Sequence, residues 1–347
     1  MRNTRILFLS SAAALVLIAA GCGTKPKTPE VDAASLQMFG KLPEAVPAKT
    51  GPADQAKIAL GRMLFYEPRL SADQKISCNS CHTLSNYGVD GEPTSEGFKG
   101  QRGDRNSPTV YNAAAHFVQF WDGRAADVEE QAKGPVLNPV EMALPNSKFA
   151  VAVLKSMPEY VEAFKAAFPG EKNPVTFDNA AAAIGAFERG LLTPARWDKF
   201  VAGDQAVLTA EEKAGFNKYV ELGCQTCHLG ALMGGSMYQK LGLMKAYPDS
   251  SDPGRNKITK SDADRMVFKV PSLRNIEKTG PYFHNGKVVS LEQAVTEMAQ
   301  YQLGKAPAEA EVKSVIAFLK TLTGGIPEEY IKAPVLPKST PKTPKPA

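Results

Sequence analysis

The chain has 347 residues, 43% of them apolar and 22% charged, with a formal net charge of +5. Leaving out Arg2 and Arg5 lowers that charge to +3, and setting aside Lys332, Lys338, Lys342 and Lys345 takes the rest to −1. Such a balance offers no basic patch for nucleic acid and suits a basic protein partner, while the length accommodates two domains.

In chain order, Arg2 and Arg5 precede an apolar run from Ile6 to Ala20, too short for a comfortable membrane span. It closes on Ile18-Ala19-Ala20-Gly21-Cys22, which is similar to a bacterial lipobox, with Ala19 where Leu is commoner. Residues 1–21 are therefore expected to be a lipoprotein signal peptide and Cys22 the lipidated first residue of an exported, periplasmic, membrane-anchored protein. Gly23 after Cys22 leans towards the outer membrane, and the other reading is an ordinary signal peptide with an incidental Cys22. Residues 22–52, rich in Pro, Lys, Thr and Ala, read as a disordered tether, and residues 333–347 as a disordered Pro/Lys tail.

Between them the order of features repeats. Asp54 to Tyr66 carries Ile58, Leu60, Leu64 and Phe65 at helical spacing, and Cys78-Asn79-Ser80-Cys81-His82 follows. Phe177 to Leu192 is a second helical stretch. Thr209, with Glu211 and Glu212 behind it, starts a helix that runs into Cys224-Gln225-Thr226-Cys227-His228, and Ala308 to Leu322 closes the second half. C-x-x-C-H is the attachment signal for c-type haem. Two thiols at that spacing each add to one vinyl group of a porphyrin, and the next residue is held where its imidazole can bind iron.

Zinc would need ligands gathered from distant segments, and a redox dithiol would need a βαβ context. Two covalent haem c groups with proximal ligands His82 and His228 are the stronger reading. The cysteine count agrees: of five, four serve the two motifs and Cys22 the lipid. The expected fold is mainly α, with two cytochrome c-like haem domains (53–205 and 206–332) and long haem-wrapping loops. Of four histidines, His116 and His284 remain as candidate sixth ligands, alongside several methionines.

Further motifs surround both haem signals. They include Gly88-Val89-Asp90-Gly91, Arg105-Asn106-Ser107-Pro108-Thr109, Gln119-Phe120-Trp121-Asp122-Gly123-Arg124-Ala125 and Gln131-Ala132-Lys133-Gly134-Pro135. Val140-Glu141-Met142, Val270-Pro271-Ser272-Leu273-Arg274-Asn275 and Pro281-Tyr282-Phe283-His284-Asn285-Gly286 follow in order. From about Ala56 to Ile326 the chain resembles the bacterial dihaem cytochrome c peroxidases. The resemblance implies that hydrogen peroxide is reduced to water at the N-terminal (peroxidatic) haem, with Glu141 as the distal carboxylate and Gln131 as a nearby amide. It implies Met298 as sixth ligand of the C-terminal, electron-transferring haem, with His284 a hydrogen-bonding neighbour of that haem. Trp121 corresponds to the aromatic residue between the haems, plausible as an electron relay. A calcium ion is implied at the Asn106 side chain and the Thr279 and Pro281 carbonyls, as are a homodimer and a small cytochrome c or cupredoxin donor.

One departure stands out. Many members block the N-terminal haem with a distal His, and Phe98 occupies that place here. Phenylalanine has no lone pair for iron, so an open N-terminal haem in every redox state is expected, with His116 the substitute ligand otherwise. Two rival readings are a dihaem oxidase or oxygenase acting on a protein or organic substrate, and a non-catalytic dihaem electron-transfer protein. The first resembles the enzymes that mature methylamine dehydrogenase, which carry Tyr where Met298 stands. The second would need six-coordinate iron at both haems.

Overall fold

A computed structural model describes Met1, residues 30–47 and residues 54–347. The signal peptide and Cys22 lie outside the described residues, apart from Met1, as do parts of the expected tether. No described helix is long and apolar enough to cross a membrane.

The architecture is mainly helical. The helices that organise it are α1 (Gln55–Phe65), α2 (Val128–Leu137), α3 (Phe177–Glu188), α4 (Ala210–Leu222), α5 (Leu291–Glu297) and α6 (Glu309–Lys320). The sheet among the described residues is one antiparallel pair, β1 (Tyr238–Lys240) with β2 (Val267–Lys269), in which Tyr238 faces Lys269. The helix starts follow from local chemistry. Asp54 accepts from Lys57 N, Asp127 from Glu130 N, and Thr176 from Asn179 N, so each side chain satisfies an N–H that has no partner within its helix. Thr209 and Glu212 cap α4 reciprocally, each side chain accepting from the other's backbone N–H.

Two cores result, each built on a crossed helix pair. In the first, α1 and α3 bring together Leu60, Leu64, Phe65, Ile184 and Phe187. In the second, α4 and α6 do the same with Phe216, Tyr219, Val315, Phe318 and Leu319. Both crossings are made at a glycine. A Cβ on Gly61 would stand 1.8 Å from Ala183 O, and one on Gly215 would stand 2.0 Å from Ser314 O. Only a residue without a side chain lets the backbones approach so closely.

The ends of the chain cross over between the cores. Trp197 and Phe200 pack in the second core, while Leu191 packs in the first. Ile331 is buried in the first core, with Ile326 and Tyr330 packed against it, and Tyr66 Oη donates to Ile331 O. Phe39, in the expected tether, is buried beside Trp197 and Phe216. Leu42 N donates to Asp198, whose carboxylate also holds the buried Arg274 guanidinium.

The 333–347 segment is likewise seated rather than loose. Arg69 donates to Ser339 Oγ, Gln74 Nε2 to Pro344 O, and Thr340 Oγ1 to Ser156 O. Proline-rich composition removes the ability to build a helix or sheet of its own, but it leaves carbonyls and hydroxyls free for a neighbouring surface.

Candidate functional site

The first motif opens on a single helical turn, Cys78–Cys81, in which Ser80 Oγ accepts from Ser77 N. His82 N donates to Cys78 O, which closes the turn. His82 Nδ1 is buried without a hydrogen-bond partner, although the Gly88 and Pro108 carbonyls lie near enough to favour its protonated form against the dominant effect of burial. His82 as a whole is only half-buried, so its accessible surface lies elsewhere than at Nδ1.

Helix α2 carries Gln131, half-buried, and ends in a tight turn at Asn138. Asn138 Nδ2 donates to Glu141 Oε1 at 2.7 Å, and Asn138 Oδ1 accepts from Val140 N. Burial raises the Glu141 pKa, while the Arg124 charge and the Asn138 bond act against it. Glu141 also lies near Cys81, whose thiol is pushed up to about 11, chiefly by burial and in part by Asp90 and Glu141. Phe98 is half-buried, and its backbone N–H donates to Glu141 O at 2.8 Å.

The second motif follows α4 through Gly223. His228 N donates to Cys224 O, and His228 Nδ1 lies 3.3 Å from Met233 O and 3.2 Å from Pro271 O. Carbonyls only accept, so Nδ1 carries the proton and Nε2 keeps its lone pair. Burial holds the His228 pKa down to about 4, which keeps that neutral form. Cys224, Cys227, His228 and Met298 line one cavity of about 240 Å³. Met298 opens the π-helical turn Met298–Gln302 that follows α5.

The two motifs are supported in matching ways. Pro108 and Pro271 offer carbonyls to the two motif histidines, and four residues beyond each proline stands an asparagine with positive φ, Asn112 and Asn275. Both asparagines donate through Nδ2 to Thr193 Oγ1 at 2.8 Å. This buried junction joins the two halves at the point where their cores divide.

Trp121 lies on the lining of the cavity that holds His228. Its Nε1 donates to Asn106 O, its carbonyl accepts from Lys269 N, and its ring stands edge-on to His284 at 6.5 Å. The next residue, Asp122, is almost fully buried and pairs with Arg105 at 2.6 Å and Arg124 at 3.0 Å, while Arg105 also pairs with Asp252. Asn106, Thr279 and Pro281 line the same cavity, and Asn106 Nδ2 donates to Glu92 O and Pro93 O, which leaves Oδ1 as the free acceptor. His284 is buried and stacked on Phe268. His116 lines the same cavity and contacts Lys269, so the structure sets it on the side of the Cys224 motif.

These residues fit covalent haem. No described group of three or more His, Cys, Asp or Glu is placed to hold a metal ion directly. All four motif cysteines are half-exposed, yet burial raises their pKa, and Cys224 and Cys227 open on the cavity. The Lys269–His116 contact and the Asp252 partner of Arg105 were not foreseen. Arg105 stood in a quoted motif, but its partner is 147 positions away and nothing local marks it.

Residues 55–206 match the di-haem cytochrome c peroxidase family. The chain is 44% identical to the cytochrome c551 peroxidase of Pseudomonas aeruginosa, over 89% of this chain and 90% of that one. It is 48% identical to the cytochrome c551 peroxidase of Nitrosomonas europaea, over 84% and 86%. Among solved structures, a MauG-like protein associated with microbial copper homeostasis superposes with a TM-score of 0.74 at 28% identity, covering 84% of this chain and 97% of that one.

Proposed function

The chain belongs to the di-haem cytochrome c peroxidase family, and from that premise we propose that it is a cytochrome-c peroxidase that reduces hydrogen peroxide to two waters with two electrons and two protons. Two haem c groups, one on each C-x-x-C-H motif, supply electron storage and the Lewis-acidic iron that this chemistry needs. The protein's own residues do the rest. Glu141 takes a proton from one peroxide oxygen and returns it to the other, so that water can leave. Its raised pKa suits both halves of that task, and Asn138 fixes which oxygen faces outward. Gln131 orients the peroxide by hydrogen bonding. The observation that carries this reading is the half-buried Glu141 held beside Cys81 by Asn138 and by the loop of Phe98.

Loops would wrap each haem, Met298 would hold the second through its thioether, a ligand that favours a high potential, and Trp121 would stand on the electron path between them. Asn106 Oδ1 and the Thr279 and Pro281 carbonyls would contribute to an oxygen shell for calcium. The donor is a small cytochrome c or cupredoxin, and the enzyme works in the periplasm as a homodimer anchored through Cys22. Met298 and Glu141 weigh against the protein-oxidising and electron-carrier readings.

Phe98 makes the N-terminal haem open without prior reduction. Low-temperature EPR with optical spectra on the matured protein tests this. A high-spin ferric signal in the fully oxidised sample, with immediate peroxide turnover, is expected. Two low-spin haems and no turnover until half-reduction would overturn the open site, and two low-spin haems with no turnover in any state would overturn the peroxidase.

A further inference from the structure

Lys269, on β2, is 5% exposed, yet it forms no ion pair with a carboxylate among the described residues. Its Nζ lies 3.0 Å from His116 Nδ1 and 3.3 Å from Val118 O. An ammonium can only donate, so His116 Nδ1 accepts, and the neutral imidazole carries its proton on Nε2. That Nε2 is buried without a partner. Gly235 packs against the ring, where a Cβ would stand 2.5 Å from His116 Cδ2, so the imidazole is held in place.

A buried cation without a counter-charge is costly. The second half's other deeply buried cation, Arg274, has Asp198 for that purpose. Burial alone holds the Lys269 pKa down to about 8, the expected response to a missing anion. Lys269 and His116 both line the cavity that holds Cys224, Cys227, His228 and Met298. The cavity lining therefore includes an ammonium with one unpaired hydrogen, braced by His116, and no acid.

We infer that the missing anion is a propionate carboxylate of the haem attached at Cys224 and Cys227. Lys269 is a positioning residue that orients this haem and keeps the propionate ionised, and His116 holds Lys269 in place. The inference rests on the reading of this cavity as a haem site. Its consequence is electrochemical. With its cation in place, the propionate stays charged across neutral pH, and reduction of the iron takes up no proton. Without the cation, desolvation lifts the propionate pKa, and reduction lifts it further by adding negative charge. Reduction then takes up a proton, and the potential falls as pH rises.

The test is spectroelectrochemical titration of the Met298-side haem in the full-length holoprotein across neutral pH, for the wild type, Lys269→Met, Lys269→Arg and His116→Phe. Haem content by pyridine haemochrome comes first; fewer than two haems per wild-type chain would sink the haem reading itself and is distinguishable from the outcomes below. The expected results are a flat profile in the wild type and in Lys269→Arg, and a falling one in Lys269→Met. Should Lys269→Met fail to fold, His116→Phe carries the test and is expected to show a shallower fall. His228, Lys240, His284, Tyr219 and Tyr282 also line the cavity, but they are common to all variants and cancel in the comparison. Flat profiles and unchanged potentials in the variants, with both haems bound, would overturn the proposal. So would a wild-type potential that moves with chloride or acetate concentration, because the anion would then be an exchangeable solute.

Discussion

The backbone N–H of Phe98 donates to the carbonyl of Glu141 at 2.8 Å, so the loop that departs from the family pattern is fastened to the residue proposed to move protons. The bond uses only main-chain atoms and survives any substitution at position 98 that keeps the N–H. Side-chain identity can therefore be changed while the distal carboxylate keeps its support.

Phe98→His restores an imidazole at this place. The oxidised variant is expected to lose its high-spin signal and its immediate turnover, and to recover both on half-reduction. Stopped-flow peroxide consumption, with and without pre-reduction, measures the difference. An oxidised variant as fast as the wild type would show that this loop does not reach the iron.

Glu141→Gln removes the proton carrier but keeps an acceptor for Asn138, and kcat is expected to fall by about 10²–10⁴-fold. Base function needs the carboxylate, so activity is present above the Glu141 pKa and lost as pH falls through it. Burial raises that pKa, and the Arg124 charge restrains the rise. Arg124→Leu should therefore move the acid limb of the kcat profile to higher pH. An unmoved limb would mean that Arg124 does not act on Glu141.

Much of this was legible in the sequence because haem attachment needs contiguous residues. Cys78, Cys81, His82 and their counterparts announce themselves, and the Asp54 and Thr209 helix starts carry local capping chemistry. The crossing of the chain ends was not legible. Phe39 beside Trp197 and Ile331 in the first core are contacts between remote segments, and a single apolar residue in a Pro/Lys-rich stretch has no periodicity to betray it. Likewise, Lys269 looks like a solvated strand residue until its partner His116, 153 positions away, is known.

The glycine crossings predict separable effects on the two halves. Gly61→Ala should destabilise the first core by about 1–3 kcal/mol or more, because a methyl group there meets the Ala183 carbonyl. Gly215→Ala should do the same to the second core through Ser314. Hydrogen exchange resolved by segment reads each case: protection should fall in α1 and α3 for the first variant and in α4 and α6 for the second. Equal losses in both halves would mean that the cores unfold as one unit.

Seating of the 333–347 segment should show in the surface beneath it. Deleting these residues removes acceptors from Arg69 and Gln74 and a donor from Ser156 O, each bond worth roughly 0.5–1.5 kcal/mol in net terms. Faster exchange is expected for residues 69–76, with both haem spectra unchanged. Unaltered exchange there would show that the segment lies on the surface without stabilising it.

Asp198 gives the sharpest stability test because four donors converge on it. Its carboxylate accepts from Leu42 N at 2.6 Å, Ala195 N at 2.7 Å, and two nitrogens of Arg274 at 2.7 and 3.0 Å. Arg274 is 1% exposed, so Asp198→Asn leaves a guanidinium buried without its anion and sets an amide NH₂ against further donors. Breaking such a pair from one side costs about 3–5 kcal/mol. One of Leu42 N and Ala195 N then faces the amide NH₂ instead of an oxygen, and the weakened junction loosens the 30–47 arm from Trp197 and Phe216. Limited proteolysis should therefore cut within that arm before the rest of the chain opens. Replacing both partners, as in Asp198→Leu with Arg274→Met, should restore part of the lost stability but not the protection of the arm, because no apolar side chain can accept from Leu42 N. A double variant whose arm is fully protected would show that Phe39 packing alone holds it.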